Sequence, residues 1–389
     1  MQNEIYLDNS ATTAVAEEVV QAMEPYWSIQ YGNPSSPHLR GIAAEKTMQS
    51  CRRQLAELLE ADPSELYFTS SGTEANNLAL QGIARIPFLA RNPGHIITTP
   101  LEHPSVLNVL KYLETLGWEI SFLTVGSRGE IDPQEMKTLF RNETKLVSIM
   151  FVNNEIGTIA PIQELAELIQ AENKDRHQKI LFHVDAVQAL GYIPLSLQSL
   201  GVDLMTFSGH KIFGPKGAGL LYQRGKNRLK PLLFGGNQEK GLRPGTENIP
   251  AIVGFTKAAQ LVTENREANV KHLQQLRRQL LEGIKDIKDY SIHNHPNGAP
   301  HILNMSFKGV RGEVLVHFLE QKRIFVAMGA ACSSRRRGMS HVLEGIGLPA
   351  DEILGAIRIS LSPELTPNQI HYVIYSLKET VEEIRNIYM

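Results

Sequence analysis

Val202-Asp-Leu-Met-Thr-Phe-Ser-Gly-His-Lys-Ile-Phe-Gly-Pro-Lys-Gly217 joins an apolar run to a polar cluster and then to a turn marked by glycine and proline. The run from Val202 to Phe207 reads as a buried strand, and the cluster behind it as the loop at that strand's carboxyl end. A strand of this kind delivers Ser208, His210 and Lys211 to one place. A lysine desolvated there loses its charge and becomes an amine nucleophile able to form a Schiff base. A solvated loop lysine fits the same residues, and neighbouring segments must decide between the two.

Those segments repeat one pattern. Leu66-Tyr-Phe leads into the turn Thr69-Ser-Ser-Gly-Thr-Glu74 and a helix over 75–84. Apolar, β-rich runs follow at 95–99, 120–125, 146–152 and 180–184, with helical stretches between most of them. Short strands alternating with helices predict an α/β protein whose largely parallel sheet is covered on both faces. Ligands of such sheets sit beyond the carboxyl ends of the strands. The polar clusters Glu102-His103, Asn153-Asn-Glu155, 185–188 and 208–211 all fall there.

Flanking this region, Ile5-Tyr-Leu predicts a short strand and 40–59 a helix. Beyond about 249 the pattern becomes that of a smaller α+β unit joined by the N-terminal segment. It comprises a long amphipathic helix over 263–287, strands at 301–307, 324–328 and 356–361, and a terminal helix from 366 or 367. The expected division is a large domain of residues 15–258 and a small domain of 1–14 and 259–389.

Composition narrows the function classes. An apolar fraction of 42% and a charged fraction of 21% are those of an ordinary soluble protein. A formal net charge of −2 gives no reason to expect nucleic acid or an acidic membrane surface as partner. No signal-peptide pattern opens the chain and no apolar run is long enough to span a bilayer. With only two cysteines, Cys51 and Cys332, in 389 residues, a reducing, cytoplasmic setting is expected. Cys51, within the helix over 40–59, reads as a buried structural thiol.

Three features carry chemistry. Ser70-Ser-Gly-Thr-Glu74, between a strand and a helix, suits a phosphate through backbone N–H groups and the helix dipole, and equally reads as a capped helix. Asp185 ends an apolar run, where a carboxylate needs a partner such as a protonated heteroaromatic nitrogen, an ion pair or a helix cap. His103 offers a ring to stack on a cofactor. Pyridoxal phosphate requires such a set: a lysine for the aldehyde, a carboxylate for the ring nitrogen and a phosphate cradle.

The motifs Tyr6-Leu-Asp-Asn-Ser-Ala-Thr-Thr13, Phe68-Thr-Ser-Ser-Gly-Thr-Glu74, Glu102-His103, Val152-Asn-Asn-Glu-Ile-Gly157, His183-Val-Asp-Ala-Val-Gln188, Phe207 to Gly217 and Arg243-Pro-Gly-Thr246 stand in the order found in cysteine desulfurases of the NifS/IscS type, which the chain resembles from about residue 5 to 375. The resemblance implies an aspartate-aminotransferase-like fold (pyridoxal-phosphate fold type I), with a mainly parallel seven-stranded sheet in the large domain. It implies that Lys211 holds pyridoxal 5'-phosphate as a Schiff base, that His103 stacks on the ring and joins in proton transfer, and that Asp185 pairs with the ring nitrogen. Asn154 and Gln188 would contact ring substituents. Ser71, Gly72, Thr73, Ser208 and His210 would form the phosphate site, with Thr246 reaching it from the neighbouring subunit of a homodimer. Arg358, helped by Asn33, would bind the substrate carboxylate.

Cys332 discriminates among reactions of this fold. It sits in Val326-Ala-Met-Gly-Ala-Ala-Cys-Ser-Ser-Arg-Arg-Arg-Gly-Met-Ser340, whose small residues describe a mobile loop of the small domain. The resemblance makes it the nucleophile that takes sulfur from L-cysteine as a persulfide, leaving L-alanine, for transfer to an acceptor in iron–sulfur cluster assembly or tRNA thiolation. Arg335, Arg336 and Arg337 depart from the less basic sequence expected there; they suit thiolate stabilisation, an acidic docking partner or a solvated turn. Alternatives are a selenocysteine lyase or class-V aminotransferase of the same fold, or a catalytically silent sulfur-trafficking scaffold. Retention of Lys211, Asp185, His103 and Cys332 argues against the silent scaffold.

Overall fold

The computed structural model describes residues 4–225, 229–329 and 339–388. The short strand β1 (Ile5–Tyr6) opens the chain. A seven-stranded sheet follows: β2 (Leu66–Thr69), β3 (His95–Thr98), β4 (Glu119–Phe122), β5 (Thr144–Met150), β6 (Leu181–Asp185), β7 (Leu204–Ser208) and β8 (Gly219–Gln223). Their spatial order is β2-β8-β7-β6-β5-β3-β4. Only β8 runs against the others, antiparallel to both β2 and β7. The sequence reading did not contain β8, which begins two residues after the glycine turn that ends the Lys211 loop.

Period-2 alternation explains why the sheet is covered on both faces. Ile97, Val147, Ile149, Phe182, Val184, Met205 and Phe207 enter one apolar core with the helices Leu39–Leu59 and Ile249–Glu264. Ile96, Leu146, Leu204 and Leu221 enter a second with the helices Gly72–Ala84 and Pro104–Glu114. On that second face, Ser148, His183 and Thr206 bond across three strands at 2.9 and 3.2 Å. Because His183 and Asp185 are two residues apart on β6, the same alternation turns Asp185 toward the Gly72 helix.

A third core belongs to the chain's last third with Ile5, Leu7 and Tyr192. Here β9 (Tyr290–Ile292), β10 (Ile302–Phe307), β12 (Ala327–Met328) and β13 (Ala356–Ser360) form an antiparallel sheet in the order β12-β13-β10-β9. β1 pairs in parallel with β11 (Ile324–Phe325). The single strand expected over 324–328 is therefore two, divided at Val326, because its halves pair with different partners. Two helices precede β9: Ile249–Glu264, absent from the sequence reading, and Arg266–Gly283, which is the helix expected over 263–287; they part at Asn265 (φ −95°, ψ 4°). The first packs whole into the large sheet's core, through Ala259 and Val262.

Candidate active site

The carboxyl ends of β2, β5, β6 and β7 open on a cavity of about 300 Å³, where the loop after β1 and Arg358 of β13 meet them. Ser71, Gly72, Thr73, His103, Asn154, Asp185, Gln188, Ser208, His210, Lys211 and Arg358 all line it. Residues up to 287 positions apart in sequence thus converge, because each ends or follows a strand of the large sheet or, for Arg358, lies within β13.

Lys211 closes the short 3-10 turn Gly209–Lys211 behind β7. Its Nζ donates to the carbonyl oxygens of Ser10 and, at 2.7 Å, of Ala11. Gln188 Nε2 donates to the same Ser10 carbonyl at 2.9 Å. The turn after β1 therefore fixes the amine and the amide together.

Asp185 is the last residue of β6 and 3% exposed. Its Oδ2 accepts from Asn76 Nδ2 at 2.7 Å and its Oδ1 from the Val187 N–H at 3.0 Å. Both donors are neutral, so a cationic ring nitrogen would complete the buried carboxylate's environment. His103 caps the Pro104 helix, its Nδ1 accepting from the Ser105 N–H at 3.1 Å and lying 2.7 Å from Ser105 Oγ. Burial holds His103 below the ordinary histidine range, Lys211 and His341 add to that, and Asp185 opposes it.

The start of the Gly72 helix fits a phosphate. Ser71 caps it, accepting from Glu74 N at 3.1 Å. A Cβ on Gly72 would stand 2.8 Å from Val187 Cγ2 and 3.4 Å from Ser208 Cβ, so only glycine lets that backbone approach. Ser208 Oγ and Ser10 Oγ, both of cavity-lining residues, are buried without a hydrogen-bond partner. An unpartnered hydroxyl beside a helix N-terminus is a donor set suited to an anion. His210, whose Nδ1 lies 3.2 Å from Thr12 Oγ1, is pushed down to about 4 by burial and by Lys211 and Lys216. These residues fit pyridoxal phosphate: an amine, a buried carboxylate, an aromatic ring and an anion cradle around one space.

Arg358, 1% exposed, is held on two sides. One terminal nitrogen pairs with Asp8 Oδ1 at 2.5 Å, and the other donates to the Asn154 carbonyl at 2.9 Å. Its Nε is buried without a partner. Asp8 stands in a motif that the sequence reading quoted without giving this residue a role. Asn76 and Ser105 were not read at all, although Asn76 is a polar residue among the buried Ala75, Leu78 and Ala79 of its helix.

Two neighbouring carboxyls sit apart from the cavity wall. Burial pushes Glu102 up to about 8; its Oε1 accepts from Thr99 Oγ1 at 2.8 Å and Met150 N at 2.9 Å. Burial likewise raises Glu155 to about 7, where it accepts from Ser340 Oγ. Cys51 is buried as expected, 6% exposed, with its thiol raised by burial.

Thr246 and Asn33 do not line the cavity. Thr246 lies with Arg243 beside a separate cavity of about 140 Å³, and Asn33 Oδ1 accepts from Ser35 N at 2.9 Å. Cys332 and Arg335, Arg336 and Arg337 lie outside the described residues.

Comparison with known proteins finds relatives along nearly the whole chain. A protein of Methanosarcina thermophila named cysteine desulfurase IscS is 41% identical over 385 residues, covering 98% of this chain and 93% of that protein. A solved NifS-like protein superposes with a TM-score of 0.90 at 38% identity, covering 98% of this chain and 99% of that one. A second, described as SspA in complex with cysteine, gives a TM-score of 0.81 at 33% identity over 94% of this chain and 100% of that one. The family described as aminotransferase class-V matches residues 5–373, and this chain belongs to it.

Proposed function

We propose that the chain is a pyridoxal-phosphate-dependent L-cysteine desulfurase, which converts L-cysteine to L-alanine and keeps the sulfur as a persulfide on Cys332. The observation that carries this reading is the meeting of Lys211, Asp185, His103 and the Gly72 helix start around one cavity. When bound, pyridoxal phosphate supplies the electron sink that loosens the bond between the substrate's β-carbon and sulfur.

The protein's residues do the rest. Lys211 Nζ would hold the cofactor at rest, then take the substrate α-proton and return a proton to that carbon before alanine leaves. Asp185 pairs with the ring nitrogen, while Gln188 and Asn154 contact ring substituents. Ser71, Gly72, Thr73, Ser208 and His210 bind the phosphate. Arg358 binds the substrate carboxylate, for which its unpartnered Nε is available. His103 stacks on the ring and serves the proton transfers beside it. The Cys332 thiolate attacks the substrate sulfur: a sulfur–sulfur bond forms, the carbon–sulfur bond breaks, and its electron pair returns to a carbon that is protonated to alanine. Nothing else is oxidised or reduced.

A homodimer fits the exposed apolar residues Trp27, Ile29, Tyr31, Leu39 and Phe234, of which Leu39 and Phe234 are 84% and 89% exposed. Thr246 then reaches the neighbour's phosphate site, and Asn33 helps Arg358 hold the substrate carboxylate. The two units of this reading are a cofactor domain of residues 15–258 and a small domain of residues 1–14 and 259–389. The persulfide goes to a protein acceptor of iron–sulfur assembly or tRNA thiolation in the cytoplasm. Among the described residues no helix is long and apolar enough to cross a membrane.

The test is product analysis of the yellow, cofactor-loaded protein. Alanine and sulfide in equal amounts from L-cysteine and a reductant support the reading. Transamination without sulfur release, or turnover of selenocysteine alone, overturns it.

A further inference from the structure

We infer that Ser105 and Asn76 are positioning residues that fix His103 as the tautomer with its proton on Nε2, so that the ring meets the substrate as a hydrogen-bond donor and not as a base. The catalytic consequence rests on the desulfurase reading; the tautomer itself does not.

A backbone N–H can only donate, and that of Ser105 points at His103 Nδ1 from 3.1 Å. A ring nitrogen that accepts this bond carries no proton. The second contact at Nδ1, Ser105 Oγ at 2.7 Å, is fixed from its far side. The Asp185 carboxylate only accepts, so the Asn76 amide presents Nδ2 to it, at 2.7 Å. The opposite amide orientation would set an oxygen against a carboxylate. The other hydrogen of that Nδ2 reaches Ser105 Oγ at 2.9 Å. With its oxygen accepting from Asn76, the Ser105 hydroxyl gives its proton to His103 Nδ1. The chain therefore runs one way, from Asn76 to Ser105 to His103, with Asp185 anchoring it.

The charged and titratable groups facing the ring are Asp185 at the end of β6, Lys211 behind β7 and His341 of the helix His341–Gly345. Burial, Lys211 and His341 favour the neutral ring, and only Asp185 favours the imidazolium. Protonating Nδ1 would also break the bond that caps the Pro104 helix. The geometry leaves Nε2–H for whatever occupies the cavity, as a neutral imidazole that polarises without first accepting a proton. The first proton removed from substrate then goes to Lys211 Nζ.

Histidine nitrogen NMR on the full-length protein, with and without pyridoxal phosphate, reads the tautomer directly. The signal that disappears in His103→Gln identifies the ring. We expect an unprotonated Nδ1 and a protonated Nε2 at neutral pH in both forms. Ser105→Ala removes one of the two bonds at Nδ1, so the ring's titration moves up in pH, and the acid limb of the kcat/KM profile moves with it. Ser105→Thr, which keeps the hydroxyl, restores both. Asn76→Leu shifts the titration less, in the same direction. A proton on Nδ1 at neutral pH in the unaltered protein, or a Ser105→Ala titration unchanged from it, overturns the inference. Absence of sulfur release with the expected tautomer overturns the desulfurase reading alone.

Discussion

Replacing Glu239 by alanine removes one half of a buried ion pair that holds the loop leading to Arg243 and Thr246. Glu239 is 6% exposed; it bonds both terminal nitrogens of Arg52, at 3.0 and 2.5 Å, and accepts from Phe68 N at 2.9 Å. Arg52 is also buried, donates to the Leu66 carbonyl, and lies 4.7 Å from the Phe68 ring centroid. Removing one partner of such a pair leaves an uncompensated buried charge and costs about 3–5 kcal/mol. Glu239 and Lys240 stand in the left-handed region, φ 45° and 57°. That conformation costs about 1–2 kcal/mol for each non-glycine residue, and alanine keeps it while losing the contacts that impose it. An unfolding entropy of about 2.1 cal/mol/K per residue gives about 0.8 kcal/mol/K for this chain, so Tm falls by about 4–6 °C. Calorimetry of the cofactor-loaded protein reads the shift. Arg52→Met combined with Glu239→Leu should recover most of it, because an apolar pair needs no charge compensation. A fall of less than about 1 °C in Glu239→Ala, or a double variant no more stable than the single one, would refute the reasoning.

Glu102, raised to about 8 by burial, keeps its proton in the folded protein while the unfolded chain releases it near its ordinary value of 4.5. Stability therefore declines as pH rises between those values, since the folded state binds more protons; Glu102→Gln should flatten that slope in denaturant titrations at pH 5 and pH 8, and an unchanged slope would count against a buried neutral acid. Arg358→Lys loses the guanidinium's fork and should raise KM for L-cysteine by roughly 10- to 100-fold, from about 1.5–3 kcal/mol for a hydrogen bond to a charged group. Steady-state kinetics checks this, and an unaltered KM would remove Arg358 from substrate binding. Cys51→Ala should leave sulfur release intact, because that thiol is buried and raised above the ordinary range; loss of release in a folded, coloured variant would show that Cys332 does not act alone.

The sheet and the cavity were legible because β-strand physics writes them into local sequence. The runs at 146–150, 181–185 and 204–207 are apolar on both faces, and each meets its polar cluster at the strand end. β8 escaped because a five-residue strand behind a glycine turn carries little pattern, and its antiparallel direction depends on where the chain returns. The helix Ile249–Glu264 escaped because it is apolar around most of its circumference and lacks the charged face that marked Arg266–Gly283. Side-chain pairs between distant elements were the least legible. Asp8 with Arg358 and Asn76 with Asp185 are 350 and 109 residues apart, and nothing local in the sequence announces either partner.

Sulfur transfer in this reading turns on Cys332. With yellow, cofactor-loaded Cys332→Ala protein, sulfide released from L-cysteine in the presence of a reductant should fall to background while the colour remains. In the unaltered protein, mass spectrometry should find one extra sulfur on the peptide carrying Cys332. Release from Cys332→Ala at the unaltered rate would contradict the claim that this thiol takes the sulfur.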